Sequence, residues 1–249
     1  MKLTIGWLYP RQMSTYGDRG NILTLHQRCV WRGIDSRVKE IGLKEKIDPK
    51  EIDLYFFGGG QDVAQIEVSK DLQKYKRGAL EEAAGGGATF LSICGGYQLL
   101  GHYYKLADGS ELTGIGILDV FTNAGEKRMI GNIVIETNVS IPGRNLVGFE
   151  NHSGKTYLGK KAVQLGKVII GYGNNGEDRT EGAIQGNIFG CYLHGPVLPK
   201  NPRFADYLIE KSLNQRYGDI KLKELDDSLE AAAHDSAIGR ARYCSNRSI

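Results

Sequence analysis

Over its first hundred residues the chain alternates short apolar runs with longer segments whose apolar positions recur every three or four residues. Residues 2–8 read as a first strand, followed by a loop from Tyr9 to Gly17. Asp18-Arg19-Gly20-Asn21 then opens a helix, with Asp18 expected as its N-cap and Ile22, Leu25, Cys29 and Val30 recurring at helical spacing. Residues 36–41 make a second, mixed strand, and 53–57 a short buried one that stops at Gly58-Gly59-Gly60. A helical pattern covers 62–83, with Leu72, Tyr75, Ala79, Leu80 and Ala83 inward. Gly85, Gly86 and Gly87 break it, and another apolar strand leads to Cys94. Strands alternating with helices predict an α/β fold, a mostly parallel sheet flanked by helices.

From about residue 111 the pattern changes. β-rich runs near 115–121, 128–141, 166–172 and 182–193 are separated by Gly/Asn turns, which predicts antiparallel hairpins added to the parallel core. Asn201-Pro202 starts a helix whose apolar face is Phe204, Leu208, Ile209 and Leu213. Leu225, Leu229 and Ala232 mark a last amphipathic helix, and 240–249 reads as a frayed end. No linker, repeat or low-complexity segment divides the chain, so one domain over 1–249 is expected, with a helical extension from about 201.

A composition of 41% hydrophobic and 24% charged residues is that of a globular protein with a sizeable core. The net charge of +3 is too small and dispersed for a nucleic-acid partner, and no basic stripe with interleaved aromatics occurs. The apolar N-terminus meets Tyr9-Pro10-Arg11-Gln12 too soon for a signal peptide, and no apolar run is long enough to span a bilayer. A cytoplasmic location is therefore expected. Cys29, Cys94, Cys191 and Cys244 lack paired or metal-type spacing, so reduced thiols and no metal are expected.

The candidate chemistry centres on Cys94. An apolar strand ends at this cysteine, Gly95 and Gly96 follow, and helix-compatible residues come next, the pattern of a nucleophile elbow. A lone cysteine at a strand end is more often a packing residue. The paired glycines reverse that preference, because they allow a strained turn and leave room for a substrate above the sulfur. A helix starting here would aim its N–H groups at Cys94 and favour thiolate.

Three glycine patterns fail as nucleotide sites. Gly171-Tyr172-Gly173-Asn174-Asn175-Gly176 matches G-x-G-x-x-G but is followed by Glu177-Asp178-Arg179-Thr180, a hairpin loop and not a phosphate-binding helix. Gly154-Lys155-Thr156 resembles the end of a P-loop, yet the preceding glycine, Gly148, is one residue too far away. Gly58-Gly59-Gly60 lacks the Lys-Ser/Thr pair. No nucleotide cofactor is expected in this chain.

Cys94 needs a base, and there are five histidines. His26 and His234 lie within helical patterns, and His102 has no evident orienting partner. His194 ends the strand-like run Ile188-Phe189-Gly190-Cys191-Tyr192-Leu193 and precedes a glycine turn, the edge where open α/β sheets build their sites. Cys191 is expected to pack inward.

A strand leading into Cys94-Gly95-Gly96-Tyr97-Gln98, with a distant strand ending in His194-Gly195, resembles the class I glutamine amidotransferases, which share a flavodoxin-like fold. Phe149-Glu150-Asn151-His152-Ser153-Gly154-Lys155-Thr156 is similar to the Tyr-Glu-x-His-x-Gly-x-Thr motif of their cobyric-acid-synthase-like branch. With Tyr16-Gly17-Asp18-Arg19-Gly20-Asn21, the chain further resembles the GatD-type glutaminase subunits of lipid II isoglutaminyl synthases. The resemblance implies that Cys94 attacks the side-chain amide of L-glutamine, forming a thioester and releasing ammonia, with His194 moving the protons. It further implies an oxyanion hole from backbone N–H groups of Gly59, Gly60 and Gly95. Arg128 would bind the glutamine α-carboxylate, Gln98 would contact the bound glutamine, and His152 and Ser153 would line its pocket or pin a loop.

The resemblance also implies a partner. Ammonia would pass to a MurT-type, ATP-dependent Mur ligase subunit in a heterodimer, which amidates the D-glutamate α-carboxylate of membrane-anchored lipid II. ATP and Mg would sit on that subunit. The alternatives are a glutaminase serving a cobyric-acid-type synthetase, or a non-catalytic scaffold. One departure stands out: class I triads place Glu two residues after the histidine, and here that residue is Pro196. An acid donated by the partner subunit would complete a Cys–His pair, with Glu150 or Glu210 as in-chain competitors.

Overall fold

The computed structural model describes residues 1–245 apart from the Tyr16 side chain; residues 246–249, the tip of the expected frayed end, lie outside the described residues. In chain order the first half runs β1 (Lys2–Leu8), α1 (Arg19–Val30), β2 (Asp35–Ile41), β3 (Leu54–Phe57), α2 (Asp62–Asp71), α3 (Arg77–Gly85), β4 (Thr89–Ile93) and α4 (Gly95–Leu100). The second half runs β5 (Tyr103–Lys105), β6 (Glu111–Thr113), β7 (Val120–Thr137), β8 (Asn145–Leu158), β9 (Gly166–Ile170), β10 (Thr180–Glu181), β11 (Ala183–Gln185) and β12 (Ile188–Cys191). Three helices close the chain: α5 (Val197–Lys200), α6 (Pro202–Tyr217) and α7 (Ser228–Ser245).

The core sheet has six strands in the order β11-β12-β4-β3-β1-β2. All neighbours are parallel except β11 and β12. β3 and β4 are buried along their whole length, which explains the apolar run of β3 and the mostly apolar one of β4: helices cover both faces. β2 lies at the edge, and its exposed Asp35, Arg37, Lys39 and Glu40 guard that edge with charge. Tyr55 and Phe90, opposite each other on β3 and β4, stack at 4.6 Å. Phe56, Phe57, Phe90 and Leu91 are essentially solvent-free, each contributing on the order of 1.5–3 kcal/mol of burial.

The chain leaves β1 toward β2 on one side and returns to β3 on the other. The loops that follow β1 and β3 therefore part at a topological switch point, where open α/β sheets place their crevices. Residues 9–18 and 58–60 are those loops.

The later strands do not simply extend the core. Only β11 and β12 join it. The others form a second six-stranded sheet, β10-β9-β7-β5-β6 with β8 paired to β7. Its spine is the long antiparallel hairpin of β7 and β8, whose register is interrupted between Ala124 and Met129. That irregularity frees 125–128 from the ladder, as β-bulges beside functional sites do.

Local differences have physical reasons. The expected helix over 62–83 is interrupted by a π turn at Leu72–Lys76, which turns Lys76 inward to pair with Asp71 beneath Tyr9. Asp18 stands at the N-cap position of α1 but makes no cap bond with its side chain, which is engaged elsewhere. Pro202 opens α6 as expected, while Asn201 bonds the backbone of Val147 and Val197 and so ties α6 to β8. The expected frayed end is helical as far as Ser245, because Ile238 and Ala241 pack on Val134 and Val147 of the second sheet.

Candidate active site

Cys94 is an elbow in the geometric sense. Its φ of 50° and ψ of −107° are a conformation that side chains resist, held between β4 and α4. Gly96 makes the turn possible: a Cβ there would lie 2.4 Å from the Phe57 carbonyl oxygen, and its N–H donates to the Gly58 carbonyl at 3.1 Å. The thiolate expected from the helix does not follow. α4 has only six residues, and burial pushes the Cys94 thiol up to about 12. The Asp18 charge adds to that rise; a hydrogen bond from the Gly95 N–H and the Arg128 charge oppose it.

His194 meets it because their strands are neighbours. Cys191 of β12 pairs with Ile93 of β4, and the Cys94 N–H donates to the Cys191 carbonyl at 2.9 Å. Three residues on, His194 is held from the other sheet by a two-way backbone bridge with Phe149, at 2.8 and 3.1 Å. Gly59 lies where the two side chains converge: a Cβ there would be 3.2 Å from His194 Cε1 and 3.4 Å from Cys94 Cβ. Burial lowers the His194 imidazole to about 3, so it is neutral and able to accept a proton at pH 7.

A cavity of about 180 Å³ opens above Cys94. Gln98, Arg128, His152, Ser153 and Gly60 line it together with the cysteine, so these expected residues converge on one space. Arg128 comes from the irregular stretch of β7 and donates through Nε to the Asn151 side chain. Gln98 Nε2 donates to the Tyr192 hydroxyl at 3.0 Å, and that hydroxyl continues to Thr156 and Thr122 at 2.6 and 2.8 Å. Gln98 Oε1 is buried with no hydrogen-bond partner. His152 stacks flat on Tyr192, with ring centroids 3.5 Å apart, and donates from Nδ1 to the Gly154 carbonyl. Burial lowers it to about 4, so it is neutral as well. Ser153 bonds Tyr104.

The three glycines of the expected oxyanion hole have different circumstances. The Gly59 N–H donates to Asp18 Oδ2 at 2.7 Å and is therefore not aimed at the cavity. The Gly95 N–H lies against the sulfur, and Gly60 lines the cavity. The in-chain acids considered for the triad are held elsewhere. Glu150 receives the N–H groups of Tyr172 and Gly173 at 2.7 and 2.9 Å, and Glu210 receives the Leu222 N–H at 3.1 Å. His102 does have a partner, Asp119 at 2.9 Å, at a partly exposed position stacked on Phe121. His234 donates to the Lys200 carbonyl, and His26 sits half-buried on α1. Residues 171–176 form the turn between β9 and β10, as a hairpin loop should.

Thr15, Gln61, Asp62, Gln65, Tyr104 and Asn151 also line the cavity, and sequence reasoning did not single them out as site residues. Gln65 had a readable signal, since it stands one turn into the helix after the glycine loop and donates to the Gly60 carbonyl at 3.0 Å. A larger cleft of about 510 Å³ lies between α6, the loop before α7 and residues 140–142, but no cysteine or histidine lines it. Among the described residues, no three His, Cys, Asp or Glu side chains are placed to hold a metal ion, and no helix is long and apolar enough to cross a membrane.

A strained cysteine at the end of a central strand, with a buried histidine near it and an arginine-lined cavity above it, is an arrangement suited to acyl transfer through a cysteine. Residues 4–202 match the CobB/CobQ-like glutamine amidotransferase domain. The chain belongs to that family, and within it to the group of GatD subunits. It is 44% identical over 240 residues to the lipid II isoglutaminyl synthase (glutamine-hydrolyzing) subunit GatD of Staphylococcus aureus, covering 96% of each chain. The corresponding subunit of Streptococcus pneumoniae is 39% identical over 230 residues, covering 92% of this chain and 87% of that one. A solved glutamine amidotransferase superposes with a TM-score of 0.56 at 17% identity, over 83% of this chain and 98% of that one, a likeness of fold.

Proposed function

We propose that this chain is the glutamine-hydrolysing subunit of a lipid II isoglutaminyl synthase, and that Cys94 and His194 carry its chemistry. The observation behind this reading is their convergence on Gly59, next to a cavity that Cys94 lines together with Arg128. The Cys94 sulfur attacks the side-chain carbonyl carbon of glutamine while its proton passes to the His194 imidazole. The two groups start neutral, so proton transfer accompanies attack. The tetrahedral oxyanion takes hydrogen bonds from the N–H groups of Gly60 and Gly95, a contribution of about 3 kcal/mol per donor in comparable sites. His194 then gives its proton to the leaving nitrogen, the C–N bond breaks, and ammonia departs. Water, deprotonated by His194, opens the thioester, and glutamate and the free thiol are regenerated. Arg128, held by Asn151, forks onto the substrate α-carboxylate.

The ammonia passes to a MurT-type ligase subunit, which carries ATP and Mg and amidates the D-glutamate α-carboxylate of lipid II. A carboxylate brought to His194 by that partner would raise a base that burial now holds at about 3, coupling glutamine hydrolysis to assembly. The test is labelling with diazo-oxo-norleucine in the assembled enzyme, followed by peptide mapping. One adduct on Cys94 supports the reading. No adduct, or one on another residue, removes Cys94 from the reaction.

A further inference from the structure

Asp18, Arg19, Gly20 and Asn21 do not line the cavity, yet this segment touches both halves of the site. On one side it brackets the Gly59 peptide. Asp18 Oδ2 accepts the Gly59 N–H at 2.7 Å, and the neighbouring Thr15 N–H donates to the Gly59 carbonyl at 3.1 Å. Both backbone polar groups of Gly59 are thus held by residues 15–18. Asp18 is solvent-free, so no water competes for that bond. On the other side, Gly20 lies under the turn that carries His194: a Cβ there would sit 2.4 Å from Pro196 Cγ. Asn21 is also solvent-free, and its Oδ1 accepts the Leu198 N–H at 2.9 Å, anchoring the start of α5 behind that turn.

This arrangement gives Gly59 a use other than oxyanion binding. Gly59 is the residue on which the Cys94 and His194 side chains converge, so a shift of its peptide moves the surface that separates them. We propose that Asp18 is a positioning residue for the amide-hydrolysing reaction: it locks the Gly59 peptide between Cys94 and His194, while Gly20 sets the height of the His194 turn by its close packing against Pro196. The proposal rests on the glutaminase reading of the site and adds to it a clamp outside the cavity. It accounts for Pro196 standing two residues after His194, since the ring there serves as the seat for Gly20. It also accounts for the lack of a side-chain cap on α1, because the carboxylate reaches across to the loop after β3 instead. The acceptor is what matters here, so an amide oxygen in the same place should serve nearly as well as a carboxylate.

The test compares Asp18→Asn with Asp18→Ala in the full chain bound to its synthetase subunit, with two readouts. The first is amide hydrogen exchange at Gly59, which needs no turnover. Asp18→Ala should speed it by about tenfold or more, and Asp18→Asn should leave it near the wild-type rate. The second is steady-state glutamine hydrolysis. Asp18→Ala should lower kcat by about 10- to 100-fold with a smaller change in KM, and Asp18→Asn should recover most of it. Gly20→Ala, whose methyl presses on Pro196, should lower kcat by about tenfold, and adding Pro196→Ala should restore activity in part. Unchanged exchange at Gly59 in Asp18→Ala would overturn the clamp whether or not the chain hydrolyses glutamine. Altered exchange with wild-type kcat would overturn the positioning role. A wild-type enzyme that releases no ammonia would instead overturn the glutaminase reading, with the exchange result still judging the clamp.

Discussion

The backbone N–H of Cys94 donates to the carbonyl of Cys191 at 2.9 Å, extending the ladder between β4 and β12 by one rung past the elbow. That bond ties the strained turn to the strand that ends in His194. Cys94 and His194 are thus both located by one parallel pairing in the middle of the core sheet. The second sheet adds the Phe149 bridge to His194 and the irregularity that delivers Arg128.

Gly59 separates the Cys94 and His194 side chains. In Gly59→Ala the new methyl would press on Thr15 Oγ1, His194 Cε1 and Cys94 Cβ at 3.0, 3.2 and 3.4 Å. The neighbours must yield by tenths of an ångström, which the fold tolerates and the reaction geometry does not. We expect kcat to fall by about 100-fold while the thermal midpoint moves little, measured by ammonia release and calorimetry on one preparation. A variant with wild-type kcat would show that the separation of the pair is not critical.

The strain at Cys94 can be weighed by comparing two inactive variants. Glycine adopts the observed φ of 50° without penalty, whereas alanine does not. Cys94→Gly should therefore be more stable than Cys94→Ala by about 1 kcal/mol, the reverse of the order in a helix or strand interior. Urea midpoints decide it; an alanine variant equal to or more stable than the glycine variant would mean the elbow stores no such strain.

Arg128 is held by Asn151 at the cavity rim, where a planar fork suits a carboxylate and a point charge does not. Arg128→Lys should raise KM for glutamine by about tenfold or more with a smaller effect on kcat. Asn151→Ala should do the same to a lesser degree. A drop in kcat at unchanged KM would place Arg128 in the chemistry and not in substrate binding.

The pH dependence of Cys94 follows from its burial. With the thiol pushed up to about 12, the thiolate fraction in the free chain rises with every unit of pH across the neutral range. Alkylation by iodoacetamide should accelerate about tenfold per unit from about pH 6 to pH 9, with no plateau. Because the Asp18 charge contributes to that rise and burial pushes Asp18 itself up to about 7, Asp18→Asn should react faster than wild type above about pH 7 and like it below. A plateau near neutrality would reveal a resting thiolate.

The core of the fold was legible because its signals are local. β3 and β4 are short, mainly apolar runs, the mark of strands covered on both faces, and the glycine pair after Cys94 announces the turn. His194 was legible as the end of such a strand. What could not be read was long-range. The sequence around 120–158 is half-exposed and interrupted by glycines, so its two-residue periodicity is weak, and the membership of β7 and β8 in a separate sheet depends on pairing across tens of residues. Arg128 was reachable only through resemblance, since the irregularity that brings it to the cavity has no periodic signature. Asp18 shows how a tertiary contact overrides a local one. Its position reads as an N-cap, but its carboxylate serves a peptide group 41 residues away in sequence.

The reading of the chain as the ammonia-releasing half of a two-part synthase is tested most directly by Cys94→Ala, assembled with its ligase subunit and supplied with ATP and lipid II. With glutamine as the nitrogen source, amidation should fall to background; with ammonium salt it should stay within about twofold of wild type, because the ligase chemistry does not use this cysteine. Loss of amidation from both sources, or glutamine-driven amidation that survives the substitution, would contradict the account.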